Sequence, residues 1–252
     1  MRKEQRNAFI LKRRQWLLIG LLMLIVFLST ASLHFIKSQS QGQQTQNKKK
    51  AAPVVTLNDK AAESGSIEQL VNKDHLLLAD YVPSDLVGLS LKSVRPVQMR
   101  REAAEALTKM FDAASRDGIT LSANSGYRSY AEQKTIYDQH VQSMGEAKAN
   151  AISSKPGESE HQTGLAVDLT CDEMEGDLQQ TFVDTDEGKW VAAHAQDYGY
   201  IVRFPKGAEK ITGYEYEPWH LRYLGVDLAK KVKKSGLCYE AYLKKYGKQA
   251  IK

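Results

Sequence analysis

The sequence predicts an α+β fold, in which a small, mainly antiparallel sheet is flanked by helices and preceded by one transmembrane helix. Three observations lead to this prediction. A basic N-terminus runs into an apolar segment, a polar stretch follows, and residues 67–252 are numerous enough for one domain with its own core. In that domain the helical and strand patterns do not alternate regularly, which argues against repeated β-α-β units.

The N-terminal segments predict attachment to the cell membrane. Residues 1–15 are rich in lysine and arginine, and residues 16–36 are apolar apart from four weakly polar positions. By the positive-inside rule the basic segment stays in the cytoplasm, so the rest of a single-pass protein is expected to be extracellular. The strictly apolar part, Leu17 to Leu28, is shorter than the span of about 20 residues that a membrane needs. A cleaved signal peptide followed by secretion is therefore the alternative.

Residues 37–66 are expected to form a disordered linker. Glutamine, serine and lysine dominate the beginning of this segment, which leaves almost no apolar surface to bury. The formal net charge of the chain is +5 at pH 7, and part of it lies in the basic N-terminal segment. The sequence therefore gives no reason to expect a nucleic-acid partner.

Within the domain, hydrophobic periodicity predicts helices and short strands. The helix over 100–116 has an apolar stripe with helical spacing and ends at Asp117-Gly118, where glycine can cap it. The other predicted elements are helices at 130–144 and 188–198, strands at 119–122, 165–170, 200–204 and 219–223, and a pair of short helices after Gly225.

Two short stretches supply the residue types of a hydrolytic zinc site. The first contains His161 and Asp168, and the second contains Glu217 and His220. Catalytic zinc usually keeps three nitrogen or oxygen ligands and leaves a fourth position for a water molecule. We therefore predict that His161, Asp168 and His220 bind one zinc ion per chain. Glu217 is the predicted general base, because a carboxylate beside that water can take its proton.

The spacing of these residues also predicts how they are presented. Gly164 lies between His161 and Asp168, so the chain can bend there and continue as a strand. Alternation along that strand would point Asp168 into a cleft and Val167 into the core. Pro218 argues against a helix around the second stretch, so the site differs from the helical H-E-x-x-H arrangement.

These residues give the chain a resemblance to a known family. The pattern S-x-H-x-x-G-x-x-x-D at 159–168, the sequence Glu-Pro-Trp-His at 217–220 and the preceding Ser-Gly-Tyr-Arg-Ser at 125–129 resemble the VanY-type D,D-carboxypeptidases. These enzymes belong to the LAS group of zinc peptidases, named for lysostaphin, the D-Ala-D-Ala metallopeptidases and sonic hedgehog. The resemblance extends from Ile67 to the C-terminus. It implies the same fold, the same three zinc ligands and Glu217 as the base.

The resemblance also implies a substrate-binding set. Arg128 matches the family's arginine, which binds substrate and stabilises charge on the scissile carbonyl, and a planar guanidinium suits a carboxylate or an oxyanion. Gln133 matches a glutamine that contacts the peptide, Ser159 matches the serine before the first ligand, and Trp219 is expected to wall the pocket. Each has a structural alternative: a surface salt bridge for Arg128, ordinary hydrogen bonds for Gln133 and Ser159, and core packing for Trp219.

Together these observations predict a membrane-anchored zinc D,D-carboxypeptidase that removes the C-terminal D-alanine from peptidoglycan stem peptides. The substrate comes from the resemblance alone. Two alternatives remain: an L,D-carboxypeptidase acting on tetrapeptide stems, and a non-catalytic zinc module that binds the cell wall. Cys171 and Cys238 can form a disulfide only if their Cα atoms lie close together, which the sequence does not decide.

Overall fold

A computed structural model describes residues 65–247 of the chain. The predicted basic segment, the membrane segment at 16–36 and nearly all of the linker lie outside these residues. None of the helices within 65–247 combines the length and the apolar character needed to cross a membrane.

Two small antiparallel sheets and seven α-helices form the described part of the chain. The strands are β1 (Leu86–Gly88), β2 (Gln98–Arg100), β3 (Ser122–Ser125), β4 (Ala166–Thr170), β5 (Tyr200–Phe204) and β6 (Glu217–Tyr223). The helices are α1 (Arg101–Arg116), α2 (Tyr130–Met144), α3 (Glu146–Ile152), α4 (Asp186–His194), α5 (Glu209–Thr212), α6 (Val226–Ser235) and α7 (Tyr239–Tyr246). Short 3-10 helices span Glu160–Thr163, Asp172–Met174, Gln180–Asp184 and Ala195–Tyr198.

The larger sheet has four strands in the order β3-β4-β6-β5, and every pair is antiparallel. The smaller sheet pairs β1 with β2. Strand β4 lies between β3 and β6, so both of its edges are hydrogen-bonded, and all five of its residues are buried. This central position explains why β4 can carry both core residues and a buried carboxylate.

The main core lies between one face of the larger sheet and helix α1. Helix α1 buries Leu107, Met110 and Ala114 at helical spacing, and β4 contributes Val167 and Leu169 to the same cluster. The predicted helix over 100–116 and its apolar stripe are confirmed by this packing.

A second core cluster joins the sheet to the C-terminal helices. Ile201 of β5 packs with Leu228 and Val232 of α6 and with Tyr239 and Leu243 of α7. The preceding residue of β5 belongs to the main core instead, as expected for neighbouring residues on opposite faces of a strand. Helices α6 and α7 therefore pack against the other face of the sheet.

The predicted α+β class with a small antiparallel sheet flanked by helices agrees with this structure, and most predicted elements lie close to their expected bounds. The strand expected at 119–122 is misplaced, since β3 begins at Ser122. The reason is local: the backbone N–H of Ile119 donates to the carbonyl of Ala114, so the residues after α1 complete its C-terminal turn. Cys171 and Cys238 are both buried free thiols, so they do not form a disulfide.

Candidate active site

Two of the predicted ligands are neighbours across the larger sheet. Asp168 of β4 is the direct cross-strand partner of His220 of β6. Opposed residues in an antiparallel pair have Cβ atoms about 5 Å apart on the same face of the sheet. The strand register thus brings together two residues that are far apart in the sequence, and the predicted strand at 219–223 is confirmed by β6.

The third predicted ligand, His161, lies in the 3-10 helix that precedes β4. Ser159 caps this helix, because its hydroxyl accepts a hydrogen bond from the backbone N–H of His161 at 3.3 Å. Gly164 ends the helix with φ of +67°, a left-handed conformation that favours glycine. The predicted bend at Gly164 is confirmed, and it returns the chain so that His161 faces Asp168.

The three side chains are buried and converge on one point. One possible ligand atom from each of His161, Asp168 and His220 lies within 4.8 Å of the other two. Nε2 of His161 is 3.2 Å from Oδ2 of Asp168, and Nδ1 of His220 is 3.0 Å from Oδ1 of the same carboxylate. His161 Nδ1 is 2.7 Å from the carbonyl oxygen of Gly126. That contact places the ring proton on Nδ1 and leaves Nε2 free to bind a metal.

The charge states of these side chains fit a zinc ion. Burial opposes the charge on Asp168, yet the adjacent His161 and His220 hold its pKa well below the usual range. Burial lowers the pKa of His161, so this imidazole is neutral. Burial also opposes charge on His220, but its hydrogen bond to Asp168 raises the pKa to about 9. Two imidazoles and a carboxylate are a usual donor set for catalytic zinc, which would displace the proton from His220.

Glu217, the predicted general base, lies at the start of β6 beside this cluster. Its Oε2 is 3.8 Å from Nδ1 of His220, and its side chain is 13% exposed, so it is sheltered but still open to the cavity. Burial raises the pKa of Glu217 to about 7, and the negative charge of Asp168 adds to this effect. A carboxylate with this pKa can both accept and return a proton near neutral pH.

Arg128 is held in place beside the cluster by two side chains. Its Nη1 donates to Oε1 of Gln133 at 2.6 Å, and its Nη2 donates to Oγ of Ser125 at 2.9 Å. Nη2 also lies 3.9 Å from Oδ2 of Asp168. The backbone N–H of Arg128 donates to the carbonyl of His161, so the arginine is tied directly to a predicted metal ligand.

Gln133 and Ser159 are placed behind the site, where both make hydrogen bonds within the protein. Gln133 is 1% exposed, accepts from Arg128 and donates through Nε2 to the carbonyl of Ser154 at 2.6 Å. Ser159 is 3% exposed. Both residues line the cavity, but these contacts make them supports for Arg128 and His161. Their direct contact with substrate stays a prediction.

One cavity of about 880 Å³ contains every predicted site residue. Trp219 lines it and also packs against the main core, so it serves both of its expected roles. The cavity is also lined by Tyr127 of the motif at 125–129 and by three residues not predicted from the sequence, Arg95, Tyr214 and Tyr216. A cavity of this size is typical of a site for a small molecule or a short peptide end.

Several residues that support the predicted ligands were not predicted from the sequence. The carbonyl of Gly126 orients His161, but a backbone acceptor leaves no signal in a side-chain pattern. Glu160, Arg203 and Arg222 form a buried charged cluster next to His220. An arginine inside each of two apolar predicted strands was the available signal, because a buried arginine needs a partner.

Comparison with known proteins agrees with this site. Residues 96–226 match the family VanY, described as D-alanyl-D-alanine carboxypeptidase. The chain is 47% identical over 188 residues to a putative carboxypeptidase, YodJ, of Bacillus subtilis, covering 73% of this chain and 69% of the relative. It is 33% identical over 183 residues to a D-alanyl-D-alanine carboxypeptidase of Enterococcus faecalis, covering 69% of this chain and 64% of the relative.

Solved structures of carboxypeptidases are also similar to this chain. The LD-carboxypeptidase LdcB has a TM-score of 0.69 and 47% identity, with coverage of 72% of this chain and 87% of LdcB. The vancomycin resistance D,D-pentapeptidase VanY in complex with Zn(II) has a TM-score of 0.60 and 33% identity, with coverage of 69% of this chain and 97% of VanY. The chain therefore shares both fold and sequence with peptidases of two related specificities.

Proposed function

Since this chain belongs to the VanY family of carboxypeptidases, we propose that it is a zinc-dependent enzyme that releases the C-terminal D-alanine from peptidoglycan stem peptides. One observation carries the proposal: His161, Asp168 and His220 converge in a cavity that also holds Glu217 and Arg128. The first three would hold one zinc ion per chain. The presence of the base distinguishes this site from that of a zinc module without catalysis.

The protein's side chains divide the reaction among them. When bound, zinc lowers the pKa of a coordinated water to about 7 and polarises the scissile carbonyl. Glu217 accepts the proton of the attacking water on its carboxylate, and returns it to the amine of the leaving D-alanine. The pKa of Glu217 is raised to about 7 in the protein alone, which suits this exchange, and a nearby cation would lower it from that value.

Arg128 supplies the positive charge that the substrate requires. Its guanidinium is fixed by Gln133 and Ser125 before any substrate arrives, so little reorganisation is needed during the reaction. A preorganised donor of this kind typically contributes about 10² to 10³ in rate. In our proposal Arg128 binds the peptide and stabilises the oxyanion, while Trp219 forms a wall of the pocket.

The comparisons bear on which bond is cleaved. The motifs in the sequence predict cleavage of the D,D bond, and relatives named D-alanyl-D-alanine carboxypeptidase are 30–33% identical to the chain. The LD-carboxypeptidase LdcB is 47% identical, and the L,D-carboxypeptidase DacB from Streptococcus pneumoniae is 38% identical. Both reactions release one D-alanine and differ in the configuration of the residue before it. The higher identities favour the L,D bond, and D,D cleavage is the second candidate.

The proposed location is the outer face of the cell membrane. The basic residues 1–15 followed by the apolar residues 16–36 support a single-pass anchor, with secretion after signal cleavage as the alternative. This location would bring the catalytic domain to its peptidoglycan substrate.

Product analysis by mass spectrometry tests the proposal. The zinc-loaded protein is incubated separately with stem tetrapeptide, stem pentapeptide and free D-Ala-D-Ala. Loss of D-alanine from the tetrapeptide supports the L,D activity, and loss from the pentapeptide alone supports the D,D activity. Removal of zinc with a chelator should abolish either activity, and added zinc should restore it. Failure to cleave any peptide with zinc bound would contradict the proposed function.

A further inference from the structure

A buried group of charges lies directly behind one of the proposed metal ligands. Glu160 accepts hydrogen bonds on Oε1 from Nε of Arg203 at 2.7 Å and from Nη1 of Arg222 at 2.8 Å. Both arginine side chains are 0% exposed. Glu240 balances the second positive charge, since its two oxygens accept from Arg203 at 2.6 and 2.8 Å. We call Glu160, Arg203, Arg222 and Glu240 the charged cluster.

The cluster leaves one carboxylate oxygen aimed at a metal ligand. Oε2 of Glu160 lies 3.8 Å from Nε2 of His220. Both atoms are buried, and neither has a hydrogen-bond partner among residues 65–247. Buried polar atoms are rarely left unpaired in a native protein, so two of them facing each other require an explanation. A movement of about 1 Å would bring them to ordinary hydrogen-bond length.

The orientation of the His220 ring explains why this contact matters. Nδ1 of His220 is the nitrogen that faces Asp168, so it is the atom available to a metal. The ring proton must then be on Nε2, which faces Glu160. The rings of Phe204 and His161 lie beside His220 with centroids 5.0 and 4.9 Å away, so its position is already restricted. Metal-binding histidines usually donate their second N–H to a carboxylate or carbonyl, which fixes the ring and strengthens the ligand.

We infer that Glu160 is a positioning residue for the metal centre, which accepts the Nε2 proton of His220 and is itself held by Arg203 and Arg222. The inference rests on the proposed zinc site but does not depend on which peptide is cleaved. Only a carboxylate suits this position, because all three neighbouring groups are donors. Glutamine would turn its NH₂ group toward one of them. A buried ionic cluster gives little net stability compared with apolar packing, so a role in orienting the ligand accounts for its presence here.

Zinc affinity is the measurement that isolates this role. We compare Glu160→Gln with Glu240→Gln. The second variant is a matched control, because Glu240 also accepts hydrogen bonds from Arg203 but does not face His220. The dissociation constant for zinc is measured by competition with a chromophoric chelator, and folding is checked by circular dichroism. Glu160→Gln should weaken zinc binding about 10- to 100-fold, whereas Glu240→Gln should change it less than about threefold. NMR of the zinc-loaded wild type should show a protected Nε2 proton on His220.

Several outcomes would contradict the inference. Equal zinc affinity in Glu160→Gln and wild type would overturn it, as would equal losses in both variants. If Glu160→Gln does not fold, Glu160→Asp decides: it keeps the charge but shortens the reach to His220, so zinc binding should still weaken while the fold survives. Wild-type protein that binds zinc but cleaves no stem peptide would refute the proposed function alone. Wild-type protein that binds no zinc would refute both.

Discussion

Glu217 is the side chain on which the proposed chemistry depends most directly. Glu217→Gln keeps the size and the polarity of the side chain but removes its ability to accept a proton. Because general acid–base catalysis contributes about 10² to 10⁴ in rate, kcat should fall by that factor. Zinc should remain bound, since Glu217 is not among the three converging ligand atoms. Steady-state kinetics and metal analysis of the same sample check both parts.

The control for this variant is Glu105→Gln, which removes an exposed carboxylate on α1. It should leave both kcat and zinc content at the wild-type level. Loss of a general base should reduce kcat at least about 100-fold. If Glu217→Gln kept more than about a tenth of the wild-type kcat, another group would have to be the base.

Whether a single site residue can be predicted from the sequence depends on whether its role is performed by its side chain. His161, Asp168, Glu217 and His220 were predictable because these residue types occur together at a spacing that suits a zinc hydrolase. The hydrogen bond between His161 and the carbonyl of Gly126 was not predictable, since every residue has a backbone carbonyl. Arg203 and Arg222 were visible in the predicted strands, but the sequence did not identify Glu160 as their partner. The partner of a buried charge depends on three-dimensional contact rather than on spacing in the sequence.

At the scale of elements, the bend at Gly164 determines how His161 comes to face Asp168. An added Cβ at Gly164 would lie 2.9 Å from Cδ2 of Leu86 and 3.3 Å from the backbone nitrogen of Arg100, at φ of +67°. Gly164→Ala should therefore destabilise the protein by about 1–2 kcal/mol from the backbone conformation alone, with crowding adding to it. It should also weaken zinc binding, because His161 would shift. Urea unfolding and zinc titration measure the two effects.

Gly236 is a close match for the control. It follows α6 with φ of +69°, and nothing lies within 4 Å of an added Cβ. Gly236→Ala should show the loss of stability from backbone conformation without the crowding, and zinc affinity should not change. Equal effects of the two substitutions on zinc affinity would show that the bend at Gly164 does not position His161.

Some elements were predictable from periodicity and others were not. Helix α2 begins where Ser129 and Glu132 form a capping box, so its start agrees with the predicted helix at 130–144. The ribbon of β1 and β2 was missed, because each strand has only three residues and shows little alternation. Strand β3 was displaced because its sequence, Ser-Ala-Asn-Ser, lacks the β-branched and aromatic residues typical of strands.

For the molecule as a whole, the charged cluster predicts sensitivity to acid. Burial alone would raise the pKa of Glu240, but Arg203 outweighs burial and lowers it below the ordinary value of 4.5. Because the folded-state pKa is the lower one, ionised Glu240 contributes stability that is present above pH 4.5 and is lost as the pH falls through the folded-state pKa. The metal-free protein should therefore become less stable as the pH is lowered through this window.

The variant Glu240→Gln tests this origin of the acid sensitivity. Leaving Arg203 with one partner fewer should cost about 1–3 kcal/mol at pH 7, and the dependence of stability on pH below 5 should become weaker. Urea unfolding of the metal-free protein at a series of pH values measures both. Glu105→Gln should keep the wild-type dependence, and an unchanged pH profile in Glu240→Gln would assign the effect to other carboxyls.

The same cluster contacts the first residues of the described chain. Arg222, which is fully buried, donates through Nη2 to the carbonyls of Ile67 and Gln69 at 3.0 and 2.7 Å. Leu70 belongs to the second core cluster, and the hydroxyl of Tyr239 donates to the carbonyl of Glu68 at 2.6 Å. Residues 67–70 are thus acceptors for buried side chains and part of the core.

Two truncated chains separate anchoring from folding. A chain of residues 65–252 keeps all of these contacts, so we expect it to match the full chain in thermal stability, zinc affinity and kcat on soluble stem peptide. A chain of residues 74–252 leaves Arg222 without two acceptors, and a buried charge that loses its partners costs several kcal/mol. This shorter chain should therefore unfold at a clearly lower temperature. Wild-type behaviour of residues 74–252 would show that the N-terminal contacts are dispensable, whereas an inactive but folded 65–252 would place a catalytic requirement in residues 1–64.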